Sequence, residues 1–294
     1  MNKIDVKQKL FEELRVKTMK FINPQSDFAF KKIFGSSESP DILKSLLNAL
    51  VYRGNPTIQI LDIINPYFPS KQPDPKEAYI DVKAKSIDGK TFIIKKQVLN
   101  VSSFDKRIIY NAAKEYSSQL SRGEGYSKLK PLISLTISDF VMFEHHSHII
   151  SHFIYKEKEH SIPFPEPEIE IIFVELPKFN KSVDELETPT DKWLYFLKNA
   201  SILETVPEKI ADILEIQHAF EIANEAYLSF DDVEDLEKRQ MLLEDKRNAM
   251  IKGIEHGMKM KSLDIAQKLL GKLDILTISQ ITNLTLEEIQ RLAH

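Results

Sequence analysis

The strongest constraint on this chain is the stretch from Glu77 to Val98. Ala78 to Lys85 and Thr91 to Val98 both alternate apolar and polar residues at period two, the mark of a half-buried strand. Between them lies Ser86-Ile87-Asp88-Gly89-Lys90, and Asp-Gly between such arms signals a tight hairpin. A two-residue loop at Asp88-Gly89 sets Ile80 opposite Gln97 and Val82 opposite Lys95, mixing apolar with polar on one face. A three-residue loop, Ile87-Asp88-Gly89 with a left-handed glycine, sets Val82 opposite Ile94 and Ala84 opposite Phe92. Only the second register covers a core. It also puts Asp81 opposite Lys95, with Gln97 one step along, so the polar face carries all three. Taken alone, such a face reads as a solvated cross-strand Asp–Lys pair.

The segments around the hairpin predict an α/β fold. Residues 1–20 suggest a short amphipathic helix. In Phe21 to Gly35, Pro24 with Ser26 or Asp27 opens a helix and Gly35 closes it, and Asp27 meets the positive helix end as a simple cap would. Ser39 to Val51 repeats leucines at helical spacing, Ile58 to Ile64 is a candidate first strand, and Asn65 to Pro75 is a proline-rich loop. Ser103 to Ser121 predicts a long helix with Ile108, Ile109, Ala112, Ala113, Tyr116 and Leu120 buried. Pro131 to Phe140 reads as a buried strand that Val141 to Phe143 extends; His148 to Tyr155 and Glu168 to Val174 read as two more. A strand–helix–strand order implies a parallel crossover.

From Thr188 the composition turns helical, so the expected division is a sheet-bearing domain over residues 1–185 and a helical region over 186–294. Asp231 to Arg247 and Met250 to Leu270 read as charged helices. Thr277-Ile278-Ser279-Gln280 and Thr285-Leu286-Glu287-Glu288 each fit a capping box, giving a helix-turn-helix-like end. Glu287, Glu288 and Gln290 are poor company for phosphate, which favours packing or oligomerisation over groove reading.

Composition removes several classes of function. A net charge of −4 means that any DNA site is a local basic patch. With no cysteine there are no disulfides, thiolate metal sites or thiol nucleophile, which fits a reducing cytoplasm. Eight glycines leave no phosphate-binding loop or dinucleotide fingerprint, and no apolar run is long enough to span a bilayer. The one histidine cluster, His145, His146 and His148 with His152 nearby, lacks a metal-ligand pattern and fits a polar turn.

Taken together, these pieces resemble the Rpn-type recombination-promoting nucleases, the PD-(D/E)XK family of transposases. The matching stretches are Ser26 to Gly35, Asp81-Val82-Lys83-Ala84, the strand ending in Gln97, and Lys106-Arg107 with Tyr110. Gln119 with Gly123-Glu124 and Tyr126, Leu176 to Phe179, Trp193 to Phe196, and the tail from Ile281 to Ile289 continue the match in order. The resemblance implies a restriction-endonuclease-like core: a mixed sheet flanked by helices, with an acid on the first helix and a metal site on the hairpin. It implies DNA hydrolysis with Mg²⁺, with Asp27 as the helix acid, Asp81 as the metal ligand and Gln97 beside the attacking water. It implies DNA contacts from Lys31, Lys32, Lys83, Lys96, Arg107, Tyr110 and Gln119, and self-association through the helical C-terminus. Lys95 stands where the family carries a glutamate. An ammonium has no lone pair for a metal and repels one, so the expectation is weakened or lost cleavage. The alternative is a non-catalytic DNA-binding or oligomerisation protein of that descent. Glu77, Asp105 and Glu115 are the carboxylates near in sequence that offer a replacement for the missing ligand.

Overall fold

The computed structural model describes residues 21–64 and 81–292. The expected amino-terminal helix, the proline-rich loop and the first residues of the hairpin, Glu77 included, lie outside the described residues. The chain divides into two compact units, Met1–Glu237 and Lys238–His294.

The first unit holds a mixed six-stranded sheet. Helices α1 (Asp27–Phe34) and α2 (Pro40–Val51) precede β1 (Leu61–Ile64), β2 (Val82–Ser86) and β3 (Thr91–Gln97). Helix α3 (Phe104–Ser117) then leads to β4 (Leu132–Ser138), β5 (Ile150–Phe153) and β6 (Ile169–Glu175). The strand order is β1-β2-β3-β4-β6-β5. β3, β4 and β6 run parallel, and β1, β2 and β5 run antiparallel to their neighbours.

The hairpin has the three-residue loop. Val82 pairs with Ile94 and Ala84 with Phe92, and Gly89 takes the left-handed conformation at φ +88°. The ladder therefore sorts its side chains by parity. Val82, Ala84, Phe92, Ile94, Leu135, Ile137, Ile172 and Val174 face one side and enter the main core. Phe28, Phe30, Ile33 and Phe34 of α1 and the leucines of α2 meet them there. So do Trp193 and Phe196 of α4 (Pro189–Asn199) and Phe220 of α5 (Leu214–Ala223). The last strand ends at Glu175, and the compact unit continues to Glu237 with α4 and α5 in this core.

The other face, with Ile93 and Phe173, lies under α3. Only Phe104, Ile108 and Ala112 of α3 are buried, and Ile109 is 57% exposed. The expected stripe was too wide, because one strand row offers a helix a narrow seat. Val141 to Phe143 do not extend β4; they bend away from it.

The two charged segments form one helix, α6 (Phe230–Leu269). It leads to α7 (Ile275–Thr282) and α8 (Leu286–Leu292), and Ala266, Ile278, Leu284 and Ile289 make the small core of the second unit. Thr285 and Glu288 form the expected capping box: the Thr285 hydroxyl accepts the Glu288 amide at 3.2 Å, and the Glu288 carboxylate accepts the Thr285 amide at 3.0 Å. The other expected box is not a helix start. Asp274 caps α7 by accepting the Thr277 amide at 3.0 Å, a turn earlier. An ionised carboxylate is a strong cap at the positive helix end.

Candidate active site

Parallel strands open a crevice at their carboxyl ends. Here that end gathers the last residues of β3, β4 and β6 with the residue entering antiparallel β2, which is Asp81. The Asp81 amide donates to the Ile94 carbonyl at 3.0 Å, one residue off the Val82–Ile94 register, so Asp81 sits just outside the ladder. Its side chain, 1% exposed, turns in toward the hairpin.

Both carboxylate oxygens of Asp81 face donors of the chain itself. Oδ1 lies 3.0 Å from Lys95 Nζ and 3.9 Å from Lys31 Nζ, and Oδ2 accepts the Lys96 amide at 2.6 Å. Lys31 is delivered by α1, whose first turn also brings Asp27 within 3.6 Å of it. Ser26 starts that helix, its hydroxyl accepting the Ala29 amide at 3.1 Å, and five buried apolar side chains seat it on the core. Burial pushes the Asp81 carboxyl above its ordinary range, opposed first by Lys95, and the Asp27 charge adds to the rise.

Lys96 points to the opposite face and is 5% exposed. Burial lowers its ammonium to about 8, while Asp139, Asp81 and Asp27 hold it up in part. Gln97 is turned to its own strand exit, donating to the Leu99 carbonyl at 2.8 Å.

The residues present do not fit a divalent metal held at Asp81. Lysine supplies no ligand atom, and the Lys95 ammonium sits where a second carboxylate would be needed. Of the nearby carboxylates, Glu115 is paired with Lys83 at 2.5 Å and Asp105 is exposed to solvent. Among the described residues, the one group of three with metal-capable atoms close together is Glu157, Glu159 and His160, all exposed and on a loop elsewhere. The histidines at 145, 146, 148 and 152 do not form such a group.

The structure thus brings Asp27, Lys31, Asp81, Lys95, Lys96 and Gln97 to one end of the sheet. The other nominated residues lie apart. Lys32 donates to Asp232 at 2.8 Å, tying α1 to the first turn of α6. Gln119 braces the other end of the sheet, bonding the Lys130 carbonyl and amide at 2.9 Å each just before β4. Lys83 is held by Glu115, Tyr110 is 66% exposed on α3, and the Arg107 guanidinium lies 5.8 Å from the centre of the Phe104 ring. Buried Lys96 is not on a surface that a phosphate reaches.

Two acids at the same sheet end were not anticipated. Asp139 follows β4 and faces Lys96 electrostatically. Glu175 ends β6, is fully buried, and accepts the amides of Met142 and Phe143 at 2.7 and 3.1 Å. Its other oxygen pairs with Lys178 at 2.7 Å, so the Leu-Pro-Lys-Phe turn clamps the loop after β4. Their place at the carboxyl ends of predicted parallel strands was the available signal.

Residues 24–253 match the family model described as PD-(D/E)XK nuclease family transposase. Neither a curated protein nor a solved structure matches the chain. Nucleases of this type generally depend on a divalent metal, and among the described residues no helix is long and apolar enough to cross a membrane. The match spans most of the chain and takes in the helix, the hairpin and the crossover around Asp81: this protein belongs to the PD-(D/E)XK nuclease family of transposases.

Proposed function

We propose that the protein descends from an Rpn-type, Mg²⁺-dependent DNA endonuclease and engages the DNA backbone at the Asp81 end of its sheet, with phosphodiester cleavage weakened or lost. One observation carries this reading: the Lys95 ammonium 3.0 Å from Asp81 Oδ1, in the place of the family's glutamate. In this reading Asp27, Asp81 and Gln97 are remnants of the catalytic set, and Lys31 and Lys95 offer positive charge toward phosphate. The protein acts in the cytoplasm and self-associates through its helical C-terminal region. Plasmid nicking with Mg²⁺ tests it. The chain as it stands is expected to cut weakly or not at all, and Lys95→Glu to cut faster. Robust cutting by the unaltered chain refutes the reading, and silence from both chains refutes the claim that Lys95 is the single lesion.

A second reading is supported by the same pair of lysines. A centre that holds ammonium groups in place of a metal suits metal-free DNA binding without cleavage. Phosphate contacts give sequence-independent affinity that falls steeply with salt. Binding that ignores salt between about 50 and 200 mM would exclude it.

A further inference from the structure

Helix α3 rests on the sheet by one side and leaves the other bare. Phe104, Ile108 and Ala112 are buried, whereas Lys106, Tyr110, Ala113, Lys114 and Ser117, on the side turned away from them, are exposed. Tyr110 stands in the middle of this face with its ring open to solvent, 66% exposed. Residues three and four apart are neighbours on a helix surface. The neighbours of Tyr110 are therefore Lys106, Arg107, Ala113 and Lys114: three cations and one methyl group. The two acids of the helix stand off this face. Glu115 is paired with Lys83, and Asp105 lies about 100° round the axis from Lys106. Among the described residues no carboxylate pairs with Lys106 or Lys114. At about 1.5 Å of rise per residue, the two lysines lie about 6 Å to either side of Tyr110 along the helix.

These parts suit an anionic chain that carries flat rings. The lysines offer their charge to phosphates, and a tyrosine ring offers its face to a base. Ala113 beside the ring leaves room for that base. A duplex also presents phosphates to the lysines, but its bases are stacked on one another and closed to the ring. Only an unpaired strand uses both. The face also continues from the proposed site. Helix α3 begins just after β3, at the end of the sheet that holds Asp81 and Lys95. Lys83, two residues along from Asp81, is tied to the helix through Glu115.

We infer that the outward face of α3 binds a single strand of DNA, with a base stacked on Tyr110 and the phosphates to either side held by Lys106 and Lys114. The inference rests on the DNA-binding part of the proposed function, to which it adds an unpaired strand beside the Asp81 end of the sheet, and on no part of its catalytic reading.

The full chain tests it without added metal, by fluorescence anisotropy of a labelled oligothymidine and of a labelled duplex of equal length. The oligothymidine is expected to bind more tightly than the duplex. Tyr110→Ala changes only an exposed side chain. It is expected to weaken oligothymidine binding about 5- to 150-fold, the worth of one stacked base, and to leave the duplex unchanged. Tyr110→Phe keeps the ring and is expected to bind as the unaltered chain does. Lys106→Ala/Lys114→Ala is expected to flatten the fall of log affinity with log salt by about 1.4, which is about 0.7 for each phosphate contact. Equal or tighter duplex binding overturns the inference and leaves the proposed DNA engagement standing. So does a Tyr110→Ala change that weakens neither form or both alike. A Tyr110→Phe chain as weak as Tyr110→Ala overturns the stacking, and an unchanged salt slope overturns the lysine contacts. A chain that binds neither DNA overturns the inference and the DNA engagement together.

Discussion

Replacing Lys96 by methionine should stabilise this protein, and by an amount that depends on pH. Lys96 is 5% exposed, and its ammonium titrates at about 8 in the fold against 10.5 in an unfolded chain. That difference corresponds to about 3 kcal/mol by which the fold disfavours the charged form, after the attraction of Asp139, Asp81 and Asp27 is counted. Methionine keeps the unbranched apolar stem and removes the charge. Below pH 8 both states of the natural chain are protonated, so the penalty is fully present and the variant is more stable by up to about 3 kcal/mol. Between about 8 and 10.5 the folded chain releases its proton first, so its stability rises relative to the variant, and above 10.5 the gap closes. Urea unfolding of both chains from pH 7 to 10.5 measures this directly. A gap that does not narrow with pH, or a variant less stable than the natural chain at pH 7, would refute the reasoning. A charged lysine kept at such a cost beside Asp81 fits the rule that perturbed titrations gather at functional sites.

Other expectations follow from packing and charge. Glu175→Gln removes the fully buried member of an ion pair and leaves the Lys178 ammonium, 10% exposed, without its carboxylate, so a loss of about 3 kcal/mol is expected in urea unfolding; changing Glu175 and Lys178 together to Gln and Met should cost less than Glu175→Gln alone. Trp193→Ala empties the centre of the core among Phe34 and Phe196 and strands the Ser45 hydroxyl that accepts its indole N–H at 3.1 Å, for about 3–5 kcal/mol by the same measurement. Gly89→Ala forces a side chain into the left-handed turn and against Lys130 at 3.1 Å, and a loss of about 1 kcal/mol or more is expected.

Much of the site was legible in the sequence because it is built from short-range rules. Turn chemistry at Asp88-Gly89 and the parity of a strand together determined the register as far as Val82 and Ile94, and the next residue of each arm brings the Asp81 and Lys95 side chains together. Helix starts were equally local where a residue had no competitor, as at Ser26 and Thr285; at Thr277 a stronger upstream cap, Asp274, won. What the sequence by itself determined is therefore the hairpin, most of the sheet and the family. Only the tertiary structure decided which lysine is paired, with which acid, and which is buried. Lys31 reaches Asp81 across fifty residues, Lys32 is taken by Asp232 two hundred residues away, and Lys96 is buried. The reason is physical: backbone pattern is written in neighbours along the chain, whereas the energy of a charge depends on whatever folding brings around it.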